Sequence, residues 1–262
     1  MIALERREGR PLRIGHRGAP ALAPENTLAS FRAAIAAGVD LVEFDVLALP
    51  GGELVVAHSH DLHEVSHGSA RGSLHDMEFA QIRLACPQLP TLDEALGFFA
   101  EEADTTGVHV DLKSPAAASE VAAALGRFGL VERSVVSSFH AGALRRLSQV
   151  EPRVRLGASF PRDRLHVHGR RGFGPVVDGG LRSLRIVTPV LVGPLLSRAQ
   201  ATALVLHHAL VSPAAVSRSH ARGSPVVAWT VDDPLDLERV DAAGVDAVVT
   251  NDPSIFVSTL TT

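Results

Sequence analysis

Short aliphatic and β-branched runs alternate along this chain with longer segments rich in Ala and Leu. A run at Leu12–Gly15 precedes a segment, 26–37, in which Leu28, Phe31 and Ile35 recur at helical spacing before Gly38 ends it. Further extended runs are expected at 41–47, 108–112, 134–139, 154–159, 203–207, 225–231 and 245–250, with one more extended piece at 53–57. Helices are expected at 92–101, 116–128, 141–149, 194–200, 213–221 and 236–243, with a last one closing the chain. Stretches 68–88 and 161–180 show no period and are expected as irregular loops over one end. Strands alternating with helices imply a parallel sheet. Eight such units in 262 residues, with no break in composition, predict an α/β chain folded as a single (β/α)8 TIM barrel over residues 1–262.

Composition narrows the range of functions. Aromatic residues make up 4% of the chain, with no Tyr and one Trp, too few for a platform that stacks single-stranded nucleic acid. The net charge is −4 and no Lys/Arg run is dense enough for a nucleic-acid footprint, so no nucleic-acid partner is expected. Cys86 is the sole cysteine, which excludes an intrachain disulfide and a CxxC metal site; it is expected as a small loop or core residue. The first residues carry charges with no apolar stretch behind them, and no uncharged apolar run reaches 18 residues. A cytoplasmic chain without an integral membrane segment is the expectation.

In such barrels the chemistry lies at the C-terminal ends of the strands. The first strand ends in Gly15-His16-Arg17-Gly18, where a His and an Arg between glycines suit an anion. In the second, Leu41-Val42-Glu43-Phe44-Asp45-Val46, period 2 puts Glu43 and Asp45 on one face, about 6.5 Å apart. Helices cover the outside of a barrel, so both acids are expected to point inward. The third strand offers Asp111 and Lys113 on one face. Three converging carboxylates at ~5 Å repel by about 3 kcal/mol per pair at an effective dielectric near 20. One Lys cannot neutralise them, and oxygen-only ligands favour a hard divalent cation, Mg2+ or Ca2+. An extended piece then delivers His58 and His60 to the same end, either one suited to exchange protons beside His16. His63, His67, His75, His166 and His168 lie in polar loop sequence and are expected at the surface. His140, His207 and His208 fall near strand ends and could line the mouth. Trp229 is either core packing or a wall for the substrate's carbon skeleton.

Taken together, His16-Arg17-Gly18, Pro24-Glu25-Asn26-Thr27, Val42-Glu43-Phe44-Asp45-Val46, Val55-Val56-Ala57-His58, Pro90-Thr91-Leu92-Asp93-Glu94, Asp111-Leu112-Lys113, Ser137-Ser138-Phe139, Ala228-Trp229-Thr230-Val231 and Gly244-Val245-Asp246 with Thr250-Asn251-Asp252-Pro253 resemble the glycerophosphodiester phosphodiesterase family, in family order and over nearly the whole chain. The resemblance implies a (β/α)8 fold and hydrolysis of glycerophosphodiesters, small-molecule substrates, to glycerol 3-phosphate and an alcohol. It implies His16 and His58 as acid and base, Glu43, Asp45 and Asp111 as ligands of one divalent cation, Arg17 and Lys113 on phosphate, and Trp229 packed on the substrate. Two departures stand out. The family usually has Glu where Asp111 stands; Asp there is familiar from the related phospholipase D toxins of spiders. The family's His-Asp pair is spread here as His58-Ser59-His60-Asp61. Counting from Val55-Val56 selects His58, as does the spacing onward to Leu62 and Gly68; matching His-Asp directly selects His60. A lysophospholipase D-type enzyme, with an apolar groove from the 186–196 stretch, and a non-catalytic anion-binding barrel are the alternatives.

Overall fold

The computed structural model describes residues 2–161 and 174–259, the side chains of 174–179 and 257–259 excepted. Eight parallel strands close on themselves: β1 (Leu12–Gly15), β2 (Leu41–Ala48), β4 (Gly107–Leu112), β5 (Ser134–Ser138), β6 (Arg155–Phe160), β7 (Ala203–His207), β8 (Val226–Trp229) and β9 (Ala247–Thr250). Pairing of β1 with both β2 and β9 completes the ring. The expected 53–57 piece becomes β3 (Leu54–Val56), which runs antiparallel along β2 and carries the chain back across the mouth. The barrel thus matches the expected fold class.

Several of the helices open where the sequence supplies caps. Thr27 accepts from the backbone N–H of Ser30 to open α1 (Leu28–Ala36). Two short helices follow in the excursion after β3, α2 (Leu62–Val65) and α3 (Phe79–Ala85). Thr91 and Glu94 form a reciprocal capping box on α4 (Leu92–Glu101). The outer ring continues with α5 (Ala118–Arg127) and α6 (Ala141–Val150). The period-2 reading of β2 holds in three dimensions. Val42, Phe44 and Val46 face outward into the helix layer, where Phe44 stacks on Phe99 at 5.9 Å and lies 5.3 Å from Phe31. Glu43 and Asp45 face the barrel axis, buried. Truncating Phe44 to Ala would cost about 3–5 kcal/mol, and the strand that carries the two acids is held accordingly.

The lower end of the barrel is closed by the N-terminal segment. Leu4 is buried among Leu12, Ile14, Leu41, Val135 and Val227, with Ile2 packed beside it. Ile2 sits over Gly107, where a Cβ would come within 2.9 Å of its side chain.

Two expected loops contain structure. Residues 68–88 hold a 3-10 turn, Leu74–Asp76, and α3. Where an irregular loop was expected at 161–180 and a short helix at 194–200, α7 runs Gly174–Ala199, 26 residues or about 39 Å, and so takes in 174–180 of that loop. Pro189 and Pro194 lie inside it and punctuate the sequence pattern, but burial of Val192 and Leu196 in the core holds the helix through them. The hydroxyl of Thr188 donates to the carbonyl of Leu184 one turn back. The expected apolar groove at 186–196 is therefore divided: Ile186, Val187 and Val190 are exposed and Val192 and Leu196 are core. His166 and His168 lie outside the described residues. The barrel is completed by α8 (Pro213–His220) and α9 (Pro234–Ala242), and the closing helix is a 3-10 segment, Pro253–Thr259. Among the described residues, no helix is long and apolar enough to cross a membrane.

Candidate active site at the barrel mouth

The turn after β1 is pinned tightly. Arg17 takes a positive φ of 52° and Gly18 one of 88°. A Cβ on Gly18 would fall within 2.3 Å of the Ser30 hydroxyl, so only glycine fits there. The Ser30 hydroxyl donates to the Arg17 carbonyl and accepts from the Ala19 N–H. Asn26, also at positive φ, donates its backbone N–H to the same carbonyl. This knot aims His16 and Arg17 over the open end.

Across the rim, Glu43, Asp45 and Asp111 each offer a carboxylate oxygen within 4.8 Å of the others. Their proximity follows from register, since β2 and β4 pair Asp45 directly with Asp111. Glu43 accepts from the Arg17 backbone N–H at 2.8 Å. Asp45 accepts from Asn26 Nδ2 at 2.9 Å and from Lys113 Nζ at 2.8 Å, and Arg17 Nε lies 3.0 Å away without hydrogen-bond alignment. Asp111 accepts from Lys113 Nζ at 2.6 Å and from the Ser137 hydroxyl at 2.7 Å. Two cations thus face three acids, where the sequence pointed to Lys113 alone.

The electrostatics divide the acids. Burial, then the negative charges of Asp45 and Asp111, hold the Glu43 carboxyl well above the ordinary range. Burial acts the same way on Asp45, but Lys113 and Arg17 outweigh it and drive that carboxyl down. Burial opposes the charge of Lys113 and Arg17, and their carboxylate partners raise both. Like charges held this close in a buried site favour protonation of one member unless further positive charge is supplied. Three carboxylates at this spacing, with no sulfur or imidazole donor among them, fit a hard divalent cation.

Two imidazoles flank the acids, both within electrostatic reach of Asp45. His16 Nδ1 lies 2.7 Å from Asn251 Oδ1. The Asn251 amide is oriented by Asp232, which accepts from Asn251 Nδ2 at 2.6 Å and from its backbone N–H at 2.8 Å. That leaves Asn251 Oδ1 as an acceptor, so His16 carries its proton on Nδ1 and turns the Nε2 lone pair toward Glu43, 3.9 Å away. Burial, and then Arg17, push the His16 pKa down to about 4. His58 Nδ1 pairs with Glu64 at 2.8 Å, and the Ser59 hydroxyl holds the other oxygen of the same carboxylate at 2.7 Å. The bond to His58 is the main reason the Glu64 pKa falls to about 2. His60 instead packs against His75, the two rings tilted with centroids 4.8 Å apart, and burial lowers its pKa.

Trp229 stands at the rim with its edge contacts to Phe139 at 5.7 Å and His207 at 5.2 Å, its indole N–H donating to the Val205 carbonyl. This gives one apolar wall. His208 pairs with Asp236 and packs on His207. His63, His67 and His75 are exposed and Cys86 is buried, as expected. The structure therefore brings His16, Arg17, Glu43, Asp45, His58, Asp111 and Lys113 to one end, with Trp229 beside them. Sequence reasoning missed Asn26, Glu64, Asp232, Asn251 and Ser137 as partners. Asn26, Asn251 and Ser137 lay within the motif segments, and Glu64 and Asp232 had no signal of their own.

A family model described as the glycerophosphoryl diester phosphodiesterase family matches residues 16–255. A glycerophosphodiester phosphodiesterase of Caldanaerobacter subterraneus is 26% identical over 261 residues, covering 94% of this chain and 96% of that protein. The fold is similar to that of an Oleispira antarctica phosphodiesterase solved in complex with the product sn-glycerol-3-phosphate, at 22% identity and TM-score 0.71, covering 96% of this chain and 97% of that one. It is similar in the same degree to a glycerophosphodiester phosphodiesterase from Thermotoga maritima, at 22% identity and TM-score 0.71, covering 95% and 98%.

Proposed function

This chain belongs to the glycerophosphoryl diester phosphodiesterase family, and from that premise we propose that it hydrolyses glycerophosphodiesters to glycerol 3-phosphate and an alcohol through a divalent cation and a histidine pair at the barrel mouth. It is an enzyme of the phosphoric diester hydrolase class. The observation that carries the detailed reading is the meeting of three buried carboxylates with two differently wired imidazoles. The reading takes residues 1–262 as one catalytic unit.

Glu43, Asp45 and Asp111 would hold the cation, Mg2+ or Ca2+, which when bound supplies positive charge where the phosphoryl oxygens gain negative charge. Arg17 and Lys113 face the same space, and preorganised charge at that point usually contributes most to such catalysis. His16, with its proton fixed on Nδ1 by Asn251, presents a free Nε2 lone pair and serves as the base that takes a proton from the attacking hydroxyl. That hydroxyl belongs either to the substrate's own glycerol or to water. His58, held through Nδ1 by Glu64, donates from Nε2 to the leaving alcohol. The geometry favours His58 over His60, whose ring is turned against His75. Trp229 packs on the carbon skeleton of the substrate.

A second reading has support from one observation. Ile186, Val187 and Val190 form an exposed apolar face on α7, which would suit a lysophospholipid chain. A hydrolysis panel with and without chelator separates the two. Turnover of glycerophosphocholine and its relatives, releasing glycerol 3-phosphate, supports the main reading. Preference for lysolipids supports the second. Turnover that persists in chelator removes the cation from the mechanism.

A further inference from the structure

Below the carboxylates lies a buried histidine that the mechanism does not use. His109 is on β4, two residues before Asp111, and therefore faces the barrel interior beneath it. It is 2% exposed, and its Nε2 lies 2.9 Å from the Ser137 hydroxyl. The β4–β5 register places Ser137 directly across from Asp111, and its hydroxyl is 2.7 Å from Asp111 Oδ1.

The direction of this chain of bonds is fixed by proton counting. A serine hydroxyl has one proton, and an ionised carboxylate has none to give, so Ser137 donates to Asp111. Its oxygen is then the acceptor for His109, which must carry hydrogen on Nε2. Nδ1 of His109 is buried and meets no hydrogen-bond partner. A proton there would be a buried donor with no acceptor, an unfavourable arrangement. The bond geometry thus places the ring hydrogen on Nε2, and each bond polarises the next. The other oxygen of Asp111 is gripped by Lys113 at 2.6 Å, so the carboxylate is clamped on both sides while each oxygen retains a lone pair for a ligand.

The geometry points to His109 and Ser137 as positioning residues that act in series to set the Asp111 carboxylate for a divalent cation. This rests on the cation-site reading above. An aspartate has one rotatable bond fewer than a glutamate between backbone and carboxylate, so its reach is set by how the carboxylate is held, and here a neighbouring strand holds it.

The test is calorimetric titration of the metal-free protein with Mg2+ and Ca2+, with unfolding curves of each variant in EDTA and 15N spectra of the histidine rings. Ser137→Ala should weaken cation binding about 10–100-fold, the usual loss when a ligand's hydrogen-bond partner is removed. His109→Leu should weaken it about tenfold. The double variant should bind within about twofold of Ser137→Ala, because the two bonds are in series. His109→Gln, which can still donate an N–H, should recover most of the affinity. The His109 ring should show the Nε2–H tautomer. Wild-type affinity in folded Ser137→Ala, multiplying losses in the double variant, no recovery with Gln, or an Nδ1–H ring would each overturn the series. Should His109→Leu not fold, Ser137→Ala and the tautomer still decide. A wild-type protein that binds neither cation would instead defeat the cation-site reading itself.

Discussion

Replacing Glu43 by Gln should stabilise the metal-free protein. The side chains are nearly isosteric, and Gln retains an oxygen to accept the Arg17 N–H that Glu43 now accepts at 2.8 Å. What disappears is a buried charge beside two others within 4.8 Å. At an effective dielectric near 20 each such pair repels by about 3.5 kcal/mol. Lys113 offsets part of this, and proton uptake by Glu43 caps the rest, leaving a net gain of about 1–3 kcal/mol at pH 7. That corresponds to roughly 2–4 °C of melting temperature per kcal/mol for a chain near this size. The sign with pH follows from the raised carboxyl. The unfolded chain ionises Glu43 near pH 4.5 while the folded protein still holds the proton, so wild-type stability falls as pH rises from there toward the folded pKa. Unfolding in EDTA should therefore show little difference at pH 4.5 and a widening advantage for Glu43→Gln toward pH 8. Saturating Mg2+ should raise wild-type stability more than that of the variant. A variant less stable than wild type in EDTA, by an amount that does not change with pH, would refute the claim that like charges burden this cluster.

Other outcomes follow from the same geometry. His16→Ala and His58→Ala should each lower kcat at least ~100-fold in steady-state assays; full activity in His58→Ala would move its role to His60. Asn251→Ala frees the His16 ring to rotate and change tautomer, and should lower kcat about tenfold with KM little changed. Glu64→Gln should remove a stabilising contribution that is complete above about pH 4.5 and is lost as pH falls toward the folded value of about 2, so urea unfolding of wild type and variant should converge in acid. Chelation should abolish turnover, and Mg2+ or Ca2+ should restore it.

Much of the fold and the centre of the site could be read in the residues. The period-2 pattern of β2 was enough to send Glu43 and Asp45 inward, because Val42, Phe44 and Val46 needed the helix layer. His16, Asp111 and Lys113 followed from standing at the ends of apolar runs. The supporting partners were harder to see for a physical reason. Asn251, itself held by Asp232, meets His16 only because β9 closes onto β1, a contact between opposite ends of the chain. Glu64 reaches His58 through the fold of an excursion with no period. The length of α7 was obscured by Gly180, Pro189 and Pro194, whose local preference against helix is overridden by packing against the core.

Among the described residues, Ile2 and Leu4 pack on the barrel's lower end, so the acidic cluster faces outward only toward the mouth on that axis. Both products of a hydrolysis there would leave toward the mouth, the side from which a substrate reaches the carboxylates. Whichever is slower to go obstructs the next arrival, so retention of one fragment, rather than bond cleavage, can come to govern how fast the enzyme cycles when its products accumulate.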